Sequence, residues 1–260
     1  MISTINWLYS VNEYRNPFTP DLDNVSNNVL TWLPLDVVIN DATIASEVDP
    51  TTYIRWKFFE QDLTQVGTTA ELTSSDTEDR DTVNGTLTAA TAVDLTEAHL
   101  ASTTYGTALS GKHATVATSY ECGTTPEVDL HVAGARTSSY SPTTSNKFVG
   151  FGHGASTTDQ TVADVLWPTS GTFKYVAVEF VAYASDLPHN IIFGLLINGA
   201  ESDISFTEAS TADTSRQFTL DTSTTAAIAA GQKVCWFFRR SHGTGTATFA
   251  AIFTVGFIAD

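Results

Sequence analysis

Asn190-Ile-Ile-Phe-Gly-Leu-Leu-Ile-Asn-Gly199 decides how the chain folds. Ile191, Phe193, Leu195 and Ile197 recur at every second residue, the period of a strand with one face buried. They run into Asn198-Gly199, a dipeptide that tolerates the positive φ angles of a two-residue hairpin. Outward from it, Val234, Trp236 and Phe238 alternate with Lys233, Cys235, Phe237 and Arg239. Lys147–Gly152, Thr161–Trp167, Phe173–Ala184, Asn190–Asn198, Ile204–Thr207, Phe218–Asp221, Lys233–Arg239 and Thr246–Ile258 all read as strands bounded by Gly, Pro, Asp or Ser. Eight such segments make an eight-stranded sandwich. Phe249, Ile252, Val255, Phe257 and Ile258 make the last strand part of the sheet rather than a tail.

Toward the N-terminus the strand signal continues. Leu30, Trp32, Leu35, Val37 and Ile39 read as strand, and in Tyr53–Phe59 the residues Ile54, Trp56 and Phe58 oppose Tyr53, Arg55, Lys57 and Phe59. His113–Tyr120 is a further strand, and Val128, Leu130 and Val132 share a face opposite Glu127, Asp129 and His131. The Thr-, Ser- and Ala-rich stretch Gly67–Ser110 reads as loop with an Asn84-Gly85 turn. Within it Asp94-Leu-Thr-Glu97, ahead of Ala98 and Leu100, has the spacing of an N-cap and predicts one short helix. The polar run 136–146 marks a domain boundary, giving an N-terminal β domain over 28–143 and a C-terminal one over 144–260. Residues 1–27 hold Trp7, Tyr9, Tyr14 and Phe18 among Asn, Asp, Pro17 and Pro20 with no sustained period. They read as an extended arm that is either folded back on its own domain or laid on a neighbour, and its four aromatics are the candidate partner-contact residues. The expected fold class is all-β: two β-sandwich domains behind an extended N-terminal arm.

Composition agrees with two modest cores in 260 residues: 42% of the chain is hydrophobic and 11% aromatic, which excludes wholesale disorder. Twenty-nine acidic against 12 basic side chains give a formal charge of −17, which repels phosphate backbones and anionic lipid, so neither nucleic acid nor membrane is an expected partner. The acidic, lysine-poor balance also suits a salty medium. Cys122 in a turn-like run and Cys235 in Val-Cys-Trp-Phe-Phe do not indicate a disulfide framework, and Cys235 reads as a small buried hydrophobe, with a single bridge between the two as the alternative. The N-terminus lacks the positive region and apolar core of a signal peptide, and no apolar run is long enough to span a bilayer.

The search for chemistry is short. The dense acidic patch Asp76, Glu78, Asp79 and Asp81 is the candidate for a glycosidase carboxylate pair or a calcium site, and it lies in polar sequence where solvated carboxylates are the default. It lacks the spacing and central Gly of an EF-hand loop, so it is a weak calcium candidate and no other metal site is expected. His99, His113, His131, His153, His189 and His242 never fall at ligand spacing. Gly152-His-Gly-Ala-Ser and Thr169-Ser-Gly fail the pattern of a nucleophile elbow, and no glycine loop would cradle phosphate. Trp32, Trp56, Trp167 and Trp236 sit in alternating patterns that favour core over sugar platforms. No catalytic residue and no cofactor is expected.

Leu166-Trp-Pro-Thr-Ser-Gly-Thr-Phe173, Gly194-Leu-Leu-Ile-Asn-Gly199, Ala229-Ala-Gly-Gln-Lys233 and Ser241-His-Gly-Thr-Gly-Thr246 together resemble the jelly-roll-like C-terminal domain of structural proteins of tailed phages, including decoration and fibre proteins. In that group an acidic residue often follows the Ala-Gly pair, where this chain has Gln232. The resemblance implies a virion part, often trimeric, with no chemistry attached. The expected function is that of a capsid decoration, cement or minor head protein, docked on the major capsid or tail protein and on copies of itself as a homotrimer. The alternative is a tail fibre or adhesin that binds a host-surface glycan.

Overall fold

A computed structural model describes residues 2–8, 14–15, 33–47, 53–59, 65–73, 76–88, 98–99, 113–124, 126–140, 143–152, 156–185, 189–210, 216–241 and 247–260. They are almost wholly antiparallel β structure, and the chain divides into two units, Met1–Glu127 and Val128–Asp260.

The first unit holds β1 (Ile2–Leu8), β2 (Tyr14–Arg15), β3 (Val37–Ser46), β4 (Tyr53–Phe59), β5 (Gln65–Thr73), β6 (Glu78–Leu87), β7 (Ala98–His99) and β8 (His113–Cys122). A sheet runs β1-β8-β3-β6, while β4 pairs with β5 and β2 with β7. In the central strand β3, Val37 and Ile39 are buried, then Ala42 and Ile44. The change of parity falls where pairing to both neighbours slips, between Ile39 and Asp41. Against β8 the slip inserts Asn40 into β3, and against β6 the extra residue lies in β6 at Val83–Asn84, so the strand is re-aimed by a bulge on each side.

The stretch expected to be loop contains the strands β5 and β6 instead. Their apolar anchors are few, Val66, Ala70 and Leu72 on one and Val83 and Leu87 on the other, yet all five are buried. Threonines and carboxylates fill the intervening positions, so the alternation is easily taken for loop composition. Of the expected short helix, residues 94–97 lie outside the described residues, and Ala98–His99 after them are strand, paired to Tyr14–Arg15.

The second unit holds β9 (Asp129–Tyr140), β10 (Lys147–Val149), the one-turn helix α1 (Gln160–Ala163), β11 (Val165–Leu166), β12 (Gly171–Ser185), β13 (His189–Ile197), β14 (Ala200–Ser210), β15 (Arg216–Asp221), β16 (Ala226–Ile228), β17 (Lys233–Arg240) and β18 (Ala247–Ala259). One sheet is ordered β15-β12-β18-β9 and the other β10-β17-β13-β14, with β16 added on β12 and β11 on β17. Setting those two short strands aside, each successive strand crosses to the opposite sheet except at the β13–β14 hairpin. That is the two-Greek-key order of a jelly roll.

Asn198 and Gly199 close the hairpin with φ of 50° and 80°, the two positive values a type I′ turn needs. Ile191, Phe193 and Leu195 of β13 join Val234, Trp236 and Phe238 of β17 and Phe253, Val255 and Phe257 of β18 in the sandwich core. Each such side chain stabilises the fold by about 1.5–3 kcal/mol when fully buried. The opposite face of β17 is covered as well: Cys235 and Phe237 pack with Phe148, Leu196 and Ala163 of α1.

The eight strands of the two sheet orders differ from the expected eight in one member. Thr161–Trp167 is not a strand: Asp159 caps α1 by accepting from the Thr161 backbone N–H at 3.0 Å, and only Val165–Leu166 is extended. Its place is taken by β9, which pairs with β18 from Asp129↔Phe257 to Tyr140↔Phe249. The expected boundary at 143/144 put β9 in the first domain, whereas the division between units falls at Glu127/Val128. The reason is topological: without β9 the first sheet lacks its outer strand, and sequence adjacency does not reveal which sheet a strand completes.

Candidate functional site

The aromatic segment expected to be an arm begins as a sheet strand. Ile2–Leu8 pairs antiparallel with β8, with Trp7 at the register position opposite Ala114. Tyr14 stands opposite His99 in the short β2–β7 pairing. Tyr9 and Phe18 lie outside the described residues. For Ile2–Leu8, therefore, the first of the two expected placements is found, as a strand: the backbone hydrogen bonds of that stretch are made to its own domain, where β8 would otherwise present an open edge.

The acidic patch is spread rather than gathered. Asp76 precedes β6, and its carboxylate accepts from the Thr73 hydroxyl at 3.4 Å. Along β6 the pleat puts Glu78 and Arg80 on the exposed face and Asp79 and Asp81 on the half-buried one. Asp81 accepts from the backbone N–H of Glu71, and Asp79 from that of Arg80 at 2.7 Å. Among the described residues no three His, Cys, Asp or Glu side chains converge as metal ligands would. A calcium site needs that convergence, which the strand geometry denies these four residues.

Arg80 pairs instead with Asp41, a residue that sequence reasoning passed over. The β3 bulge directs the Asp41 carboxylate to the polar face, where it also accepts from the hydroxyls of Thr82 at 3.2 Å and Ser119 at 3.4 Å. Hydrogen bonding to Arg80 leads the effects that hold the Asp41 carboxyl below the usual carboxylate range. Asp41, Thr43, Arg80, Ala117 and Ser119 line a shallow recess of about 200 Å³. The signal was Asn40-Asp41 interrupting an apolar alternation, which marks a bulge rather than the end of a strand.

In the second unit the chemistry-bearing side chains are drawn into the core. Trp167 and Trp236 are buried, so neither is a platform for a sugar ring; the side chains of Trp32 and Trp56 lie outside what is described. His131 meets Trp167 edge-on at 4.7 Å, with Phe151 at 6.0 Å and Phe257 at 6.3 Å. Burial disfavours the imidazolium and pushes its pKa down to about 4, against a smaller opposing pull from Asp129. His131 was expected among scattered polar histidines. Instead the face of β9 that carries Asp129 and His131 also carries Ala133, which belongs to the sandwich core.

Cys235 is fully buried, and desolvation, aided by Asp164, pushes its thiol up to about 12. It is a packed side chain and not a thiolate nucleophile. Cys122 is likewise buried, and the two are not bridged. Among the described residues no helix is long and apolar enough to cross a membrane.

No protein family and no curated protein matches the chain. Among solved structures, it aligns over 87% of its length with 44% of the mosquito-larvicidal Cry4Aa toxin of Bacillus thuringiensis, at 11% identity and a TM-score of 0.28. It aligns over 86% of its length with 24% of dimeric latent PorU from Porphyromonas gingivalis, at 8% identity and a TM-score of 0.34. The third is infectious bursal disease virus, strain Gx, with 98% of this chain on 71% of that one, 8% identity and a TM-score of 0.28. The chain spans less than half the length of the first two. At these scores the three similarities carry no argument about function, and the fold reading stands on the strand order itself.

Proposed function

We propose that the protein is a non-enzymatic structural component of a tailed-virus particle, a decoration, cement or minor head protein that docks on the capsid or tail and on copies of itself, as a homotrimer. The observation that supports this reading is the closed jelly roll of the second unit, whose interior is filled by Phe173, Phe193, Trp236, Phe238, Phe253 and Phe257. An interior packed in this way leaves the outer surfaces and loops to do the work, and jelly rolls recur in viral capsid proteins as rigid units for assembly. The acidic balance of the chain keeps it off packaged nucleic acid and directs it to protein surfaces.

The test is location. Mass spectrometry of purified particles with a reconstruction should find the chain as ordered density on the head or tail; particles that lack it refute the proposal. The polar recess beside Asp41 favours the second reading, a fibre or adhesin holding a glycan, since carboxylate, guanidinium and hydroxyl groups meet there. Saturable, sugar-specific binding on a glycan array, lost in Asp41→Ala, would select it over docking.

A further inference from the structure

We propose that β1 is an exchangeable strand, given in the assembled state to the β8 edge of a second copy of this chain. The inference rests on the assembly reading and names the surface through which copies meet. Within one chain β1 runs antiparallel to β8 through seven consecutive pairs, from Ile2↔Ser119 to Leu8↔His113, with no slip in register. The β8 edge is therefore complementary to this very sequence, and the β1 of another copy would satisfy the same main-chain groups.

Two features favour exchange. Among the described strands β8 is the sole sheet neighbour of β1, so a single ladder holds it. Ile2–Leu8 carries no charged residue, so moving it adds no charge to a contact between chains that each bear −17.

Because the pairs are identical in both arrangements, effective concentration decides between them. Linkage within one chain raises the effective concentration of β1 at its own β8, and neighbouring copies packed in an assembly raise it at theirs. Exchange is then close to neutral inside the assembly and disfavoured in dilute solution.

Cysteine pairs at matched register positions read the arrangement directly. Ile5↔Val116 and Asn6↔Thr115 are adjacent pairs, one hydrogen-bonded and one not, with Cα atoms about 5.5 and 4.5 Å apart, both within disulfide range. Full-length chains carrying Ile5→Cys alone are co-expressed with chains carrying Val116→Cys alone, and Asn6→Cys with Thr115→Cys. The assembled fraction is oxidised and run on non-reducing gels, with the double variants alongside and circular dichroism to verify folding; the native thiols are buried. Disulfide-linked heterodimers from the mixed single variants, and linked chains from the double variants, are expected. Oligomers whose double variants bridge only within one chain, or not at all, overturn exchange and leave the assembly reading standing. A chain that light scattering finds monomeric at every concentration sinks both.

Discussion

Mild acid should destabilise the second unit through His131. The imidazole is mostly buried against Trp167, Phe151 and Phe257, with Asp129 the charged group acting on it, and its pKa in the fold is about 4. In the unfolded chain it returns to 6.5. Between those values the unfolded state binds the proton and the folded state does not, so stability is lost as pH falls from 6.5 toward 4 and is fully present above 6.5. At about 1.4 kcal/mol per pKa unit the loss reaches roughly 2 kcal/mol by pH 5 and about 3 kcal/mol at its limit. For a unit of roughly 130 residues, 2 kcal/mol lowers the melting temperature by about 7 °C. Asp221, held well down by hydrogen bonds from Thr224 and Ser223, contributes its own acid sensitivity only below the ordinary carboxylate value of 3.8, outside this window. The assay is thermal unfolding at pH 7 and pH 5 for the wild type and His131→Phe, with an NMR titration of the imidazole Hε1 resonance assigned by its loss in that variant. An imidazole titrating at 6 or above refutes the reasoning, as does an unchanged pH-dependence in His131→Phe.

Leu195→Asp should unfold the second unit, since an unpaired carboxylate in a position that is 0% exposed costs several kcal/mol; a soluble variant with wild-type melting contradicts the core assignment. Gly134→Ala should cost about 2 kcal/mol or more, because φ there is +92° and the new methyl would stand 2.2 Å from the Ala251 carbonyl oxygen. A silent Gly134→Ala, read by urea unfolding, would mean that β9 is not a working strand of the jelly roll. Millimolar calcium should leave the melting temperature within about 1 °C of its value in chelator, because saturating a specific site at 100 times its Kd would add about 2.7 kcal/mol. A clear upward shift, abolished in Asp79→Asn, would restore the calcium reading.

What could be read in advance depended on how each strand is buried. In β13 and β17 the alternation is carried by large side chains, and the Asn198-Gly199 turn ties register to sequence, so the sandwich face was legible residue by residue. In β5 and β6 the same alternation is written in Val, Ala and Leu against Thr and carboxylates, with too little apolar mass per residue to stand out from a loop. The helix α1 spans four residues, shorter than any helical period can reveal, and only the Asp159 cap announced it. The Asp41 cluster draws on β3, β6 and β8, strands far apart in sequence that only the fold brings together.

β9 shows the limit most clearly. Val128, Leu130 and Val132 form the apolar face of its alternation, and all three are buried, yet Ala133 on the other face is the residue that joins the sandwich core. Over residues 128–134 both faces are buried or partly buried, and alternation then ceases to say which one meets the opposite sheet. Its apparently polar face holds His131, and a neutral imidazole is an amphipathic ring that can pack edge-on against Trp167 and the phenylalanines around it. Protonation removes that option, because the cation must keep water that the aromatic wall excludes. The residue that misled the reading of this strand is thus the one expected to couple the sandwich to pH.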